Sequence, residues 1–181
     1  YYSAMREVDR CSAKNYEDKA VLMRALSSAI ESSIDNIETM RGLTSIMVDV
    51  SGSMKTNTIS DKGTIRCIDI ATLFGAMADK ICEKSLIQAF ATRDEMISLN
   101  PSDSIFTNQN KIMDAERKLG GNTNAYLPMQ RLNNMNKFVD RIILFSDMEC
   151  YDDIGGFGRT ANSFNRELSK YRQNVNPNVY V

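Results

Sequence analysis

Three short strings of oxygen-bearing residues stand out in this 181-residue chain. The first is Asp49-Val50-Ser51-Gly52-Ser53, in which alternate residues carry a carboxylate and two hydroxyls. The second is Gly120-Gly121-Asn122-Thr123-Asn124, a flexible turn that presents another hydroxyl. The third, Phe145-Ser146-Asp147, ends in a second carboxylate. No histidine occurs anywhere in the chain, and the strings add no nitrogen or sulfur donor. Oxygen donors alone suit a hard divalent cation: Mg²⁺ first, with Mn²⁺ and Ca²⁺ as alternatives. Few carboxylates and several neutral hydroxyls leave such an ion partly uncompensated, so it can attract an acidic group from outside. The competing reading is structural: Asp49 and Asp147 cap helices, and the hydroxyls bond to the backbone.

These strings meet only if the elements before them end on one side of a sheet. Thr44–Val50 and Arg141–Ser146 are compact apolar runs, as buried strands are. Leu86–Ala91 reads as a second strand and Met96–Leu99 as its hairpin partner. Val179–Val181 has the character of a short final strand. Between them, helical patterns cover Ile65–Cys82, Lys111–Leu119, Leu127–Asn134 and Thr160–Tyr171. A polar loop of about a dozen residues is expected after Val50. Ahead of all these, Leu22, Leu26, Ala29, Ile30, Ile34 and Ile37 recur at helical spacing, with Asn15 placed as an N-cap and Asp18 three residues later. The first fifteen residues show no regular pattern. The expected fold class is therefore α/β: an open, mostly parallel sheet with helices on both faces, preceded by an amphipathic helix. In such folds ligands collect at the carboxyl ends of strands.

Composition narrows the function. Lys and Arg number 22 against 23 Asp and Glu, so the formal net charge is −1. No basic surplus advertises nucleic acid, and no apolar run approaches the roughly 20 residues of a membrane span. The absence of histidine removes His-based triads and the usual zinc sites. Cys11, Cys67, Cys82 and Cys150 form no CxxC pair; they read as dispersed thiols of a reduced compartment, and a cytoplasmic location is expected. Eleven methionines point to adaptable core packing.

Taken in order, the Asp-x-Ser-x-Ser string, the later Thr and the later Asp resemble the metal-ion-dependent adhesion site of von Willebrand factor A domains, whose fold is Rossmann-like. The resemblance implies Asp49, Ser51, Ser53, Thr123 and Asp147 as the ligands of one divalent ion. In that family the serines and the threonine contact the metal directly, and the aspartates act directly or through water. Asn124 departs from the pattern, since many A domains carry Asp there.

A narrower likeness covers nearly the whole chain. The helix at Asp18–Ile37, Val48-Asp49-Val50-Ser51-Gly52-Ser53-Met54, Ala89-Phe90-Ala91 with Asp94-Glu95-Met96, Leu127-Pro128-Met129 and Ile143-Leu144-Phe145-Ser146-Asp147 resemble the Ro ribonucleoprotein (TROVE) family. The opening Tyr1-Tyr2-Ser3-Ala4 resembles the segment leading out of that family's helical-repeat ring. The likeness implies a protein that binds small noncoding Y RNAs and ends of misfolded RNAs, mostly through the ring and not through this part. It divides the chain into a lead-in and packing helix, 1–41, joining a helical-repeat module, and an A-type domain, 42–181, with further elements expected after Val181.

Other features weigh less. Glu149, Asp152 and Asp153 could steer cations, but a solvated loop explains them. Gly155-Gly156-Phe157-Gly158 lacks the Lys-Ser/Thr ending of a phosphate loop and reads as a hinge. Lys111, Arg117 and Lys118 could touch phosphate from one helix, although a solvated face accounts for them. Ser51 or Ser53 as a nucleophile beside a metal would make an enzyme, yet no histidine is available as base. A binding domain with no catalytic residue and no organic cofactor is the expectation. The alternative is an A-type protein-interaction module of another intracellular complex, such as an ATPase or chelatase accessory subunit. The protein partner expected here is one that supplies an acidic ligand to the metal.

Overall fold

A computed structural model describes residues 16–60, 63–147 and 163–181, together with Ala4 and Val8. Eleven elements follow one another among the described residues. They are α1 (Tyr16–Ile34), β1 (Met40–Asp49), α2 (Gly52–Thr56), α3 (Cys67–Ile81), β2 (Cys82–Phe90), β3 (Asp94–Ile97), α4 (Ile105–Asp114), α5 (Glu116–Leu119), α6 (Tyr126–Asn134), β4 (Arg141–Phe145) and α7 (Phe164–Asn174). The sheet order is β3-β2-β1-β4. β1 pairs in parallel with β2 on one side and β4 on the other, and β3 runs antiparallel to β2. The open, mostly parallel α/β sheet expected from the sequence is therefore present.

The side chains of β1 alternate between two cores, as strand geometry requires. Ile46 and Val48 enter a cluster with Ile30, Ile34, Ile68, Leu73 and Ile112, under α1, α3 and α4. Met47 points the other way, to Phe90, Met129, Leu132 and Tyr171 under α6 and α7. Ile46, Met47 and Val48 have no exposed surface, which follows from parallel strands being covered on both faces. α3 packs tightly on β1 at Gly75. A Cβ there would meet Val48 Cγ2 at 2.9 Å, so a side chain at this position would push the helix off the strand.

Several boundaries differ from the sequence expectation. β2 begins at Cys82, where the helical pattern was expected to end, because Cys82 adopts extended backbone (φ −85, ψ 140) as the cap of α3. α4 begins at Ile105, six residues before the expected Lys111; Ser104 caps it by accepting from Thr107 N at 3.1 Å. The polar loop after Val50 contains the short helix α2, whose Met54 is buried. Five residues are too few to show a helical period. In place of a strand at Val179–Val181 there is one parallel bridge, Arg141 to Tyr180. Ala4 and Val8 are helical, where no regular structure was expected. The Asn15 cap, Cys11, Cys150, the Glu149/Asp152/Asp153 cluster and the Gly155–Gly158 stretch lie outside the described residues.

α7 is tied to the segment before β4 by Tyr171, which is fully buried. Its hydroxyl donates to Lys137 O at 2.7 Å and accepts from Val139 N at 2.8 Å. Tyr171→Phe leaves both backbone groups without that partner, and unmet buried groups cost about 1–3 kcal/mol each. Equilibrium urea denaturation is expected to show a loss in that range; an unchanged midpoint would contradict it.

Candidate metal centre

β1 delivers Asp49 to the carboxyl end of the sheet as its last residue, and β4 delivers Asp147 two residues past its own end. Asp49 is completely buried. Its Oδ1 accepts from Ser51 N at 2.9 Å and its Oδ2 accepts from the Ser146 hydroxyl at 2.8 Å. These bonds join the first and third strings directly. Ser51, also fully buried, stands at the N-cap of α2, and its hydroxyl lies 3.2 Å from that of Ser53. Asn57, just beyond α2, donates from Nδ2 to Asp147 Oδ2 at 3.3 Å.

The glycine turn joins from a third direction. Gly52 N donates to Gly121 O at 2.8 Å, and a Cβ at Gly52 would come within 3.2 Å of that oxygen. Gly120 has φ +88, and a Cβ on it would lie 2.6 Å from Thr92 Oγ1, so this turn requires glycine. The Thr92 hydroxyl also accepts from Asn122 N at 3.0 Å. Asn124 completes the brace: its backbone N–H reaches Ala91 O at 3.0 Å and its Nδ2 reaches Thr92 O at 3.1 Å. Its departure from aspartate thus has a structural use, because a carboxylate could not donate that second bond. Thr123, held between these braced neighbours, is 4% exposed, and its hydroxyl has no hydrogen-bond partner among the described residues.

The structure bonds Asp49 to the Ser51 amide and the Ser146 hydroxyl, sets the Ser53 hydroxyl beside that of Ser51, holds Asp147 through Asn57, and ties the turn that carries Thr123 to Gly52. Ser146, Asn57 and Thr92 support the group without having been singled out by the sequence. Ser146 was legible as the neighbour of Asp147, whereas nothing in the spacing marks Asn57 or Thr92. Among the described residues, no three Cys, Asp or Glu side chains form a cluster able to hold an ion. The candidate donors are two carboxylates and three hydroxyls.

Electrostatics bear on whether an ion fits. Burial pushes the Asp49 carboxyl above the ordinary aspartate range; the hydrogen bonds from Ser51 and Ser146 act against this, and the nearby Asp147 charge adds to it. No Lys or Arg pairs with Asp49 among the described residues. A buried carboxylate beside a second one, without a basic partner, suits a cation with oxygen preference.

The basic side chains expected on one helix lie on two, Lys111 on α4 and Arg117 and Lys118 on α5, and they behave differently. Lys111 pairs with Asp103 at 2.7 Å, Arg117 with Asp114 at 3.6 Å and Lys118 with Glu95 at 3.9 Å. Each charge already has an acidic neighbour, as a solvated face would have. Cys67 and Cys82 are free thiols.

No protein-family model and no curated protein matches the chain. A solved structure does: the crystal structure of the Deinococcus radiodurans Ro (RSR) protein, with a TM-score of 0.63 at 18% identity. The match covers 84% of this chain and 29% of that one. The chain has a Ro-like von Willebrand A fold. The likeness reaches the fold alone, and the match spans less than a third of that protein's length. Among the described residues no helix is long and apolar enough to cross a membrane.

The raised Asp49 pKa has a sign that can be checked. The folded chain holds this proton more tightly than the unfolded chain, so ionising Asp49 costs stability as pH rises from the ordinary value of 3.8 through the raised one. In metal-free buffer, Asp49→Asn is expected to gain stability relative to the parent across that window. Denaturation midpoints compared between pH 3 and pH 7 test this; a constant difference would contradict it.

Proposed function

We propose that this chain is the metal-ion-dependent binding domain of a Ro-like RNA-binding protein, part of a ribonucleoprotein built on a small noncoding RNA of the Y type. Asp49, Ser51, Ser53, Thr123 and Asp147 are its metal ligands, and Mg²⁺ is the ion. The observation that supports the reading best is Asp49: a buried carboxylate next to Asp147, bonded only to hydroxyl and amide donors among the described residues.

In this reading the bound ion supplies a Lewis-acidic docking point, completed by an acidic group from a protein partner. The chain's own residues do the rest. Asp49 and Asp147 provide the negative charge, and Ser146 and the Ser51 amide fix the Asp49 carboxylate. Asn57 orients Asp147, and Gly120 with Thr92 sets the loop that carries Thr123. The domain acts by binding and carries no catalytic residue. RNA is held mainly by other parts of the longer protein, which works in the cytoplasm.

A ligand at about 100 times its dissociation constant stabilises by roughly 2.7 kcal/mol, which for a domain of this size is about 5–10 °C in melting temperature. Saturating Mg²⁺ is expected to produce such a rise, and Asp147→Ala to abolish it. An undiminished Mg²⁺ response in the variant rejects the ligand assignment. The RNA part is tested separately: the natural full-length protein, purified from its own cells, is expected to carry small RNAs, and recovery without RNA would contradict the ribonucleoprotein reading.

A further inference from the structure

At the opposite end of the sheet from the candidate metal centre, β2 is longer than its neighbour. β3 pairs only with Ile87–Phe90, whereas β2 starts at Cys82 and its first residues pair with β1 alone. The outer edge of Cys82–Leu86 therefore has no strand partner among the described residues. The chain leaving β3 does not close this gap. Asn108 of α4, 4% exposed, accepts from Asn100 N at 3.3 Å and donates to Asn100 O at 2.9 Å. This clamp draws the β3–α4 loop toward α4. A cleft of about 590 Å³ lies along the open edge, lined by Leu86, Ile97 and Leu99 inside and by Lys80, Glu83 and Lys84 at its mouth.

The charges at the mouth are not equivalent. Asp79 accepts a hydrogen bond from the Ser85 hydroxyl, and Glu83 accepts from Gly42 N at 2.9 Å. Lys80 and Lys84 are exposed and have no carboxylate partner among the described residues. Lys80 lies at the end of α3, on the Ile46 face of the sheet. Lys84 shares strand parity with Leu86, which packs on the opposite core. An incoming strand thus meets one unpaired ammonium on each face.

We propose that the outer edge of β2 between Cys82 and Leu86 is a strand-addition site for an extended, acidic segment of a protein partner. The segment takes the place that a longer β3 would occupy. Main-chain hydrogen bonds to β2 supply affinity, and apolar side chains enter the cleft toward Leu86, Ile97 and Leu99. Neighbouring carboxylates, which alternate between the faces of a strand, reach Lys84 and Lys80. Edges left open in this way are templates for pairing. The proposal does not depend on the metal centre or on RNA.

Amide hydrogen exchange, followed by NMR, tests the proposal with a defined probe, acetyl-Thr-Val-Glu-Glu-Val-Thr-amide at millimolar concentration. Exchange of outward-facing amides in 82–86 is expected to slow about tenfold. The same peptide with lysines for glutamates is expected to have no effect. Lys80→Glu combined with Lys84→Glu is expected to lose the protection while its amide spectrum stays that of the folded parent. No slowing in the parent, equal slowing by the lysine peptide, or retained slowing in the double variant overturns the proposal. So does protection produced by oligouridylate instead of the peptide, or by raising the protein concentration alone, which would name RNA or a second copy as the occupant.

Discussion

Asp49 is held at the end of the central strand with no exposed surface, and Asp147 sits near it at the end of β4. Two carboxylates in such a place repel each other and lose hydration, so the fold around them has to compensate. Part of the compensation is built in, through the amide of Ser51 and the hydroxyl of Ser146. The remainder is charge, which no side chain among the described residues delivers to Asp49. That imbalance organises the surrounding loops. α2 starts at Gly52, three residues after Asp49, so that Ser51 and Ser53 stay close, and the glycine turn is drawn in by the Gly52–Gly121 bond.

The sheet serves this arrangement. Parallel pairing of β1 with β4 brings the ends of two distant segments side by side, nearly a hundred residues apart in sequence. Cores on both faces keep the strands from sliding, so the positions of Asp49 and Asp147 are set by packing well below the site. Gly75 contributes by letting α3 approach Val48, one residue before Asp49. A metal site made of short hydroxyl and carboxylate side chains would tolerate little displacement, so the proposed site requires rigidity of this kind.

Much of the architecture was legible in the sequence. The β-branched run before Val50 and the apolar run at 141–145 announced buried strands by composition, and helical periodicity announced α1 and α3. The oxygen strings were visible by residue type. Less legible were features set by tertiary contact. The start of β2 at Cys82 has a polar opening, Glu83-Lys84-Ser85, that reads as a helix end or loop until β1 pairs with it. α2 is too short for any period. The roles of Asn57, Thr92 and Asn124 depend on partners up to 90 residues away, and no local pattern encodes such bonds. The open edge of β2 is likewise a product of unequal strand lengths, seen only once the register is known.

In the proposed site, three separate loops hold one divalent ion. Paramagnetic broadening by Mn²⁺ in the amide NMR spectrum tests it directly. At substoichiometric Mn²⁺, the amides of Ser51–Ser53, of Thr123 and of Asp147 are expected to broaden together, ahead of the rest of the chain, and to recover on addition of excess Mg²⁺. Broadening confined to one loop, centred elsewhere, or unaffected by Mg²⁺ would show that the three loops do not share one ion.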